Sequence, residues 1–318
     1  MSSLHCRRLG IQGNHRDGCG ENGDGDPRDL VGDYGAEDAS MISILVDYFS
    51  LCLSDDKTQI SVEGAAPQEY WSDEFMFAFF VTLKSNKVTV LRTHSNCFEW
   101  WNWKNVAIFW NRLHWLERLF LEDSIIGVDG CLALTKLLRN ERSKLKWFSL
   151  SGNHIDDECM SILVDALQFN NVLEILDLEK NAIGIDGCVV LTTLLQNKQS
   201  RIKRISLSNN DIDDECAHVL ANALKSNAVL EGLNLDGNYA ITSNGWKYFL
   251  NLVCDDMSIE MTYYSSHTLR SLGTEFRRIH IMYATCTFLG TPVSEQGWDK
   301  VGGHLSPMIK IFLAVLMK

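Results

Sequence analysis

The 318-residue chain holds ten cysteines, and four of them, Cys131, Cys159, Cys188 and Cys216, recur at intervals of 28, 29 and 28 residues. Such regular thiols could pair as disulfides, bind a metal, or simply pack. Structural zinc sites use close pairs such as Cys-x-x-Cys, and the chain has none. Each of the four falls near a predicted helix start, and neighbouring helices hold Cα atoms beyond the roughly 7 Å that a disulfide tolerates. Free thiols buried as small hydrophobes are therefore expected, which suits a reducing compartment. The stretch NGDGDPRDLVGD at 22–33 sets Asn22, Asp24 and Asp26 at alternate places, like a calcium loop. Pro27 stands where that loop needs glycine, so a solvated acidic segment is the better reading. His5, Cys6, His15 and Cys19 fit no metal spacing. The chain contains no phosphate-loop motif, no Gly-x-Ser-x-Gly and no His-Glu-x-x-His. Neither catalysis nor a cofactor or metal is expected.

The four cysteines keep step with a larger repeat. In LEILDLEKNAIGIDGCVVLTTLL at 173–195, an alternating apolar segment leads into apolar residues at helical spacing. Its frame, L-x-x-L-x-L-x-x-N-x-I, is set by Leu173, Leu176, Leu178, Asn181 and Ile183. The frame recurs from Leu116, Leu145, Ile202 and Leu230, and more weakly from Val88, at spacings of 28, 29, 28, 29 and 28. Two unit types alternate: GVDGC and GIDGC in one, DDEC in the other. One strand and one helix cannot bury an apolar face alone, so stacked copies are required.

These L-x-x-L-x-L-x-x-N runs and the alternating 28 and 29 spacing resemble the leucine-rich repeat family, in its ribonuclease-inhibitor-like subtype. The resemblance covers about 88–255 and implies an α/β solenoid: a curved horseshoe arc of six to seven repeats, with a parallel inner sheet and outer helices. Strands stack at about 4.8 Å whereas helices need about 8–10 Å, which accounts for the curvature. Position nine of the frame reads Asn96, Asn153, Asn181, Asn210 and Asn238, with Ser124 in the remaining unit. A ladder of amides bonding the turn backbone is expected there. Asp156 or Asp157, and Asp213 or Asp214, can cap the helix that follows.

Positions three, five and seven of each unit alternate away from the helices, onto the concave face. Position three reads Val90, Arg118, Trp147, Ile175, Arg204 and Gly232. Position five reads Arg92, Phe120, Ser149, Asp177, Ser206 and Asn234. Position seven reads His94, Glu122, Ser151, Glu179, Ser208 and Asp236. Arg92, Arg118, Phe120, Glu122, Trp147, Ile175, Asp177, Glu179 and Arg204 form the candidate protein-binding set, because exposed Trp and Arg together mark binding hot spots. Mixed charge suits a protein partner better than nucleic acid.

The flanks divide less regularly. The first 39 residues, rich in Gly and Asp, are expected to be disordered. A flank at 40–87 carries an apolar stretch at 40–54 and a degenerate unit. That unit has a strand near Ile60–Val62 and a helix at 72–86, where SDEFMFAFFVTLKSN parallels DDECAHVLANALKSN at 213–227. Five tryptophans crowd 97–115, at Trp100, Trp101, Trp103, Trp110 and Trp115. They read as a bulky space-filling helix, with a convex docking patch as the alternative. Residues 256–273 are expected to supply a capping strand, since terminal repeats need a cap. After Gly273 the frame is lost, and 274–318 has no assigned fold.

Apolar residues make up 46% of the chain, ample for a core, and the net charge of −12 disfavours nucleic acid and anionic membrane. No apolar run opens the chain as a secretory signal would, and none reaches the 18 residues of a membrane span. A monomeric cytoplasmic or nuclear protein is expected. The leading functional reading is a non-enzymatic scaffold that binds an unidentified protein through the concave face. The resemblance also implies an alternative, a GTPase-activating protein for a Ran-type GTPase, which can act without an arginine finger. That family has a longer array and an acidic tail, and 274–318 is not acidic. A further alternative is the sensor fragment of an innate-immune receptor, although 1–87 holds no phosphate loop. Ribonuclease inhibition is a minor option, since the units and cysteines are too few.

Overall fold

A computed structural model of the chain describes residues 46–47, 49–50, 52–63, 73–94, 107, 110, 112–253, 269 and 271–273. Seven short strands run β1 (Gln59–Glu63), β2 (Val90–His94), β3 (Arg118–Leu121), β4 (Trp147–Ser149), β5 (Ile175–Asp177), β6 (Arg204–Ser206) and β7 (Gly232–Asn234). They form one open parallel sheet in strict sequence order. The helices whose full bounds fall among these residues are α1 (Asp73–Ser85), α2 (Gly127–Leu138), α3 (Asp157–Leu167), α4 (Ile185–Gln196), α5 (Asp214–Leu224) and α6 (Ser243–Val253). From β3 onward strand and helix alternate, and the architecture is an α/β leucine-rich repeat solenoid. β1 and α1 lie before Val88, in the flank where a degenerate unit is expected from sequence.

The pleat decides which side chains enter the core. Leu119, Phe148, Leu176, Ile205 and Leu233 stand in register and are buried, as are Leu121, Leu150, Leu178, Leu207 and Leu235 two residues on. From the helices come Leu134, Leu163, Leu191 and Leu220, and the result is one continuous apolar core. Trp110 belongs to it, and Trp115 ties into it by donating its indole N–H to the Val88 carbonyl at 3.1 Å. These two tryptophans pack into the core; Trp100, Trp101 and Trp103 lie outside the described residues.

Both sheet edges are engaged. Leu53 bridges Ile60 in antiparallel fashion, and Ser54 donates its N–H to the Gln59 carbonyl at 2.9 Å. At the other end Ser271 bridges Gly232 in parallel, and its carbonyl accepts from Leu233 N–H at 2.9 Å. An exposed edge would invite pairing with another chain. Among the expected segments, 1–39, 256–268 and 274–318 lie outside the described residues. So do the calcium-like loop and the His5, Cys6, His15, Cys19 set.

The asparagine ladder forms from Asn153 onward. Asn153 is wholly buried; its amide donates to the Leu121 carbonyl at 2.6 Å and the Ser151 carbonyl at 3.2 Å, while its oxygen accepts Ser124 N–H at 2.8 Å. Asn181 repeats this one unit on, accepting from Asn153 and Ile155 N–H and donating to the Leu150 carbonyl. Asn210 and Asn238 continue it, Asn238 accepting the Asn210 N–H at 2.9 Å. Asn96 lies outside the described residues. The residue just before each ladder asparagine is left-handed, as at Lys180, Asn209, Gly152 and Gly237. Glycine suits Gly152 twice over: its φ is +72°, and a Cβ there would strike the Asp123 carboxylate.

The two aspartates of each DDEC unit divide their labour, and this explains the alternation of unit types. Asp156 caps its own helix α3, accepting Cys159 N–H at 2.9 Å, and Asp213 likewise caps α5. Asp157 instead crosses to the next unit, accepting Gly184 N–H at 2.7 Å at the start of α4. Asp214 does the same for Thr242 and Gly245 at the start of α6. A side chain at Gly187 would collide with that Asp157 carboxylate and with Ile183, so a unit receiving an aspartate needs glycine there.

Candidate functional site

The strand register lays the face opposite the helices out in rows. Across one row run Val90, Arg118, Trp147, Ile175, Arg204 and Gly232, each directly beside the next. Across the second run Arg92, Phe120, Ser149, Asp177, Ser206 and Asn234. Beyond the strand ends the unit spacing puts Glu122, Ser151, Glu179, Ser208 and Asp236 in a third.

An aromatic stack occupies the N-terminal half. The Arg92 guanidinium lies 3.8 Å from the Phe120 ring centroid, Phe120 is 5.2 Å from Trp147, and the Arg118 guanidinium is 5.7 Å from Trp147. Cations over aromatic faces are attracted by the ring quadrupole. Phe120 departs from expectation. It is only 3% exposed, because Arg92 covers it and Trp147 leans against it. Phe120 thus supports the face and offers little surface of its own. Trp147 and Ile175 are half-buried, and Arg118 and Arg204 are exposed. Neither exposed arginine has an ion-pair partner among the described residues. The Trp147 indole N–H is shut off from solvent with no acceptor among the described residues.

A polar strip lies beside the aromatic stack. Ser149 Oγ donates to the Glu122 carboxylate at 3.3 Å, and Asp177 accepts the Glu179 N–H at 3.0 Å. Glu179 also stands 3.7 Å from Lys180. Burial pushes the Asp177 carboxyl above its usual range, and the Glu122 charge adds to this against hydrogen bonds from Glu179, Ser206 and Ser149. An acid whose folded pKa is raised contributes stability that is full below its unfolded pKa, about 3.9, and lost as pH rises through the folded value. Asp177→Asn keeps an acceptor for Glu179 N–H and removes the buried charge. Thermal melts from pH 3 to 8 are expected to show a variant at least as stable as wild type at pH 7. A lower melting point at pH 7 would contradict this account.

The row just before the strands was not anticipated from sequence. Glu117, Lys146, Glu174, Lys203 and Glu231 fall one per unit with alternating sign. Lys203 Nζ donates to Glu174 at 2.8 Å, and that bond, then the charges of Lys146 and Arg201, holds the Glu174 carboxyl low. The 29- and 28-residue spacing of these charges was the available signal. A second amide ladder was missed too: Asn170, Asn197 and Asn227 at the helix ends donate back to Leu138, Gln168 and Leu195 carbonyls.

Cys131, Cys159, Cys188 and Cys216 are free and buried near the helix starts. A hydrogen bond to Cys159, then burial, pushes the Cys131 thiol up, and Cys216 acts likewise on Cys188. Among the described residues no group of three His, Cys, Asp or Glu is placed to hold a metal. No helix among them is long and apolar enough to cross a membrane.

This geometry is that of a leucine-rich repeat protein of the ribonuclease-inhibitor-like type. No protein-family model matches the chain. It is similar to ribonuclease inhibitor from Mus musculus, 30% identical over 160 residues, covering 50% of this chain and 34% of that protein. It is similar to RAN GTPase-activating protein 2 from Arabidopsis thaliana, 27% identical over 110 residues, covering 35% and 20%. It is also similar to protein CARMIL from Dictyostelium discoideum, 35% identical over 99 residues, covering 30% and 9%. The chain therefore spans about a third or less of each of these relatives.

Proposed function

We propose that the chain is a non-enzymatic, cytoplasmic scaffold that binds a protein partner on the open face of its sheet. One observation carries this reading. Trp147 and Ile175 lie half-buried between Arg118 and Arg204, two exposed cations with no ion-pair partner among the described residues. Desolvated aromatic groups flanked by arginine are the common anchors of protein interfaces. Arg92, Glu122, Asp177 and Glu179 border this centre, and Phe120 holds its floor. The names of the relatives agree with a protein partner, since one inhibits ribonuclease and another activates a GTPase.

The test is affinity capture from native lysate with wild type and Trp147→Ala, followed by mass spectrometry. Trp147 is the right position because Phe120 is too buried to change without disturbing the fold. For a partner held by wild type, the variant is expected to lose about 2 kcal/mol or more of binding, roughly 30-fold. Equal capture by both proteins would reject the open face.

The similarity to a Ran GTPase-activating protein favours a second reading, stimulation of GTP hydrolysis on a Ran-type GTPase. Single-turnover hydrolysis with and without the protein separates the two. Unchanged hydrolysis would remove this reading.

A further inference from the structure

The row Arg118, Trp147, Ile175, Arg204 places two cations at the ends and an apolar floor between them, on four adjacent strands. Four adjacent strands span three inter-strand gaps, about 14 Å. An extended peptide rises about 3.3 Å per residue, so residues i, i+2 and i+4 project from one side over about 13 Å. The two spacings match. We propose, resting on the open-face reading above, that the partner presents an extended segment crossing the strands at this row. That segment carries acidic residues at i and i+4 and a large apolar residue at i+2. The apolar side chain covers Trp147 and Ile175, while the two carboxylates meet Arg118 and Arg204.

Charge around the row fixes its selectivity. The flanking Glu117–Lys146–Glu174–Lys203–Glu231 row alternates in sign, and its Lys203–Glu174 bond takes up one cation internally. Arg118 and Arg204 have no such partner among the described residues, so they remain free to bind carboxylate in bidentate fashion. On the far side stand Asp177, Glu122 and Glu179. They repel a segment that is acidic on both sides and so orient its carboxylates toward the arginines. They also oppose a continuous polyanion such as nucleic acid, as does the net charge of −12.

The probe is a random 12-residue peptide library displayed on phage, selected separately on wild type, Trp147→Ala and the double variant Arg118→Glu/Arg204→Glu. Both arginines are exposed, so the double variant keeps the fold, which circular dichroism verifies. Wild type is expected to enrich acidic-x-apolar-x-acidic peptides at least tenfold over the starting library. The double variant is expected to lose that class at least tenfold and to enrich basic-x-apolar-x-basic peptides instead. Synthetic peptides of the enriched class should bind wild type with an affinity that falls as salt rises. Peptides that depend on Trp147 but lack acidic flanks would overturn this inference and leave the open-face reading standing. A selection with no Trp147-dependent peptides would overturn both. Displacement of bound peptide by equimolar single-stranded oligothymidylate would assign the arginines to a phosphate backbone and also overturn it.

Discussion

Phe120→Ala is expected to lower the unfolding free energy by about 3–5 kcal/mol, the usual cost of emptying a buried aromatic site. The ring is nearly inaccessible, beneath the Arg92 guanidinium and against Trp147. Removing it withdraws the surface on which Arg92 rests and opens a void beside Trp147. Urea unfolding followed by circular dichroism measures the loss. Hydrogen exchange should place it at the strands around Phe120, because each repeat contacts only its neighbours. A change below about 1 kcal/mol, the range of ordinary surface substitutions and mild core swaps, would mean that Phe120 is exposed in solution. The result also bears on binding. An alanine at this position that lost a partner would report the fold as much as the interface, whereas Trp147→Ala separates the two.

Asn153→Ala is expected to cost about 2–4 kcal/mol, since it leaves at least two buried backbone groups without a partner, each worth about 1–3 kcal/mol. Those groups are the Ser124 N–H and the Leu121 carbonyl, both in the preceding unit. Asn153→Asp should be nearly as damaging, because it keeps an acceptor for Ser124 but loses the amide donors and buries a charge. The same urea titration reads both. An alanine variant as stable as wild type would show that water replaces the amide and that the ladder carries no net stability. The ladder joins units and not residues within one unit, so either loss should also reduce the cooperativity between β3 and β4.

Much of this protein could be read along the chain. Leu176, Leu178 and Asn181, repeated at 28 and 29 residues, determined the strand, its inward face and the amide ladder. Those features depend on spacing within a unit, and a strand's period of two and a helix's period of 3.6 are local properties. Spacing also determined that Arg118, Trp147, Ile175 and Arg204 share a row, since equal units stacked in register bring equal positions together. Tertiary structure decided what spacing is blind to. It buried Phe120, because a neighbouring arginine and tryptophan close over it. It split Asp156 from Asp157, since adjacent identical carboxylates differ only in whether they face their own helix or the next. It left Arg118 and Arg204 without an ion-pair partner among the described residues while giving Glu174 to Lys203. Each of these turns on side chains from different units meeting in space, where a few ångströms decide between contact and exposure.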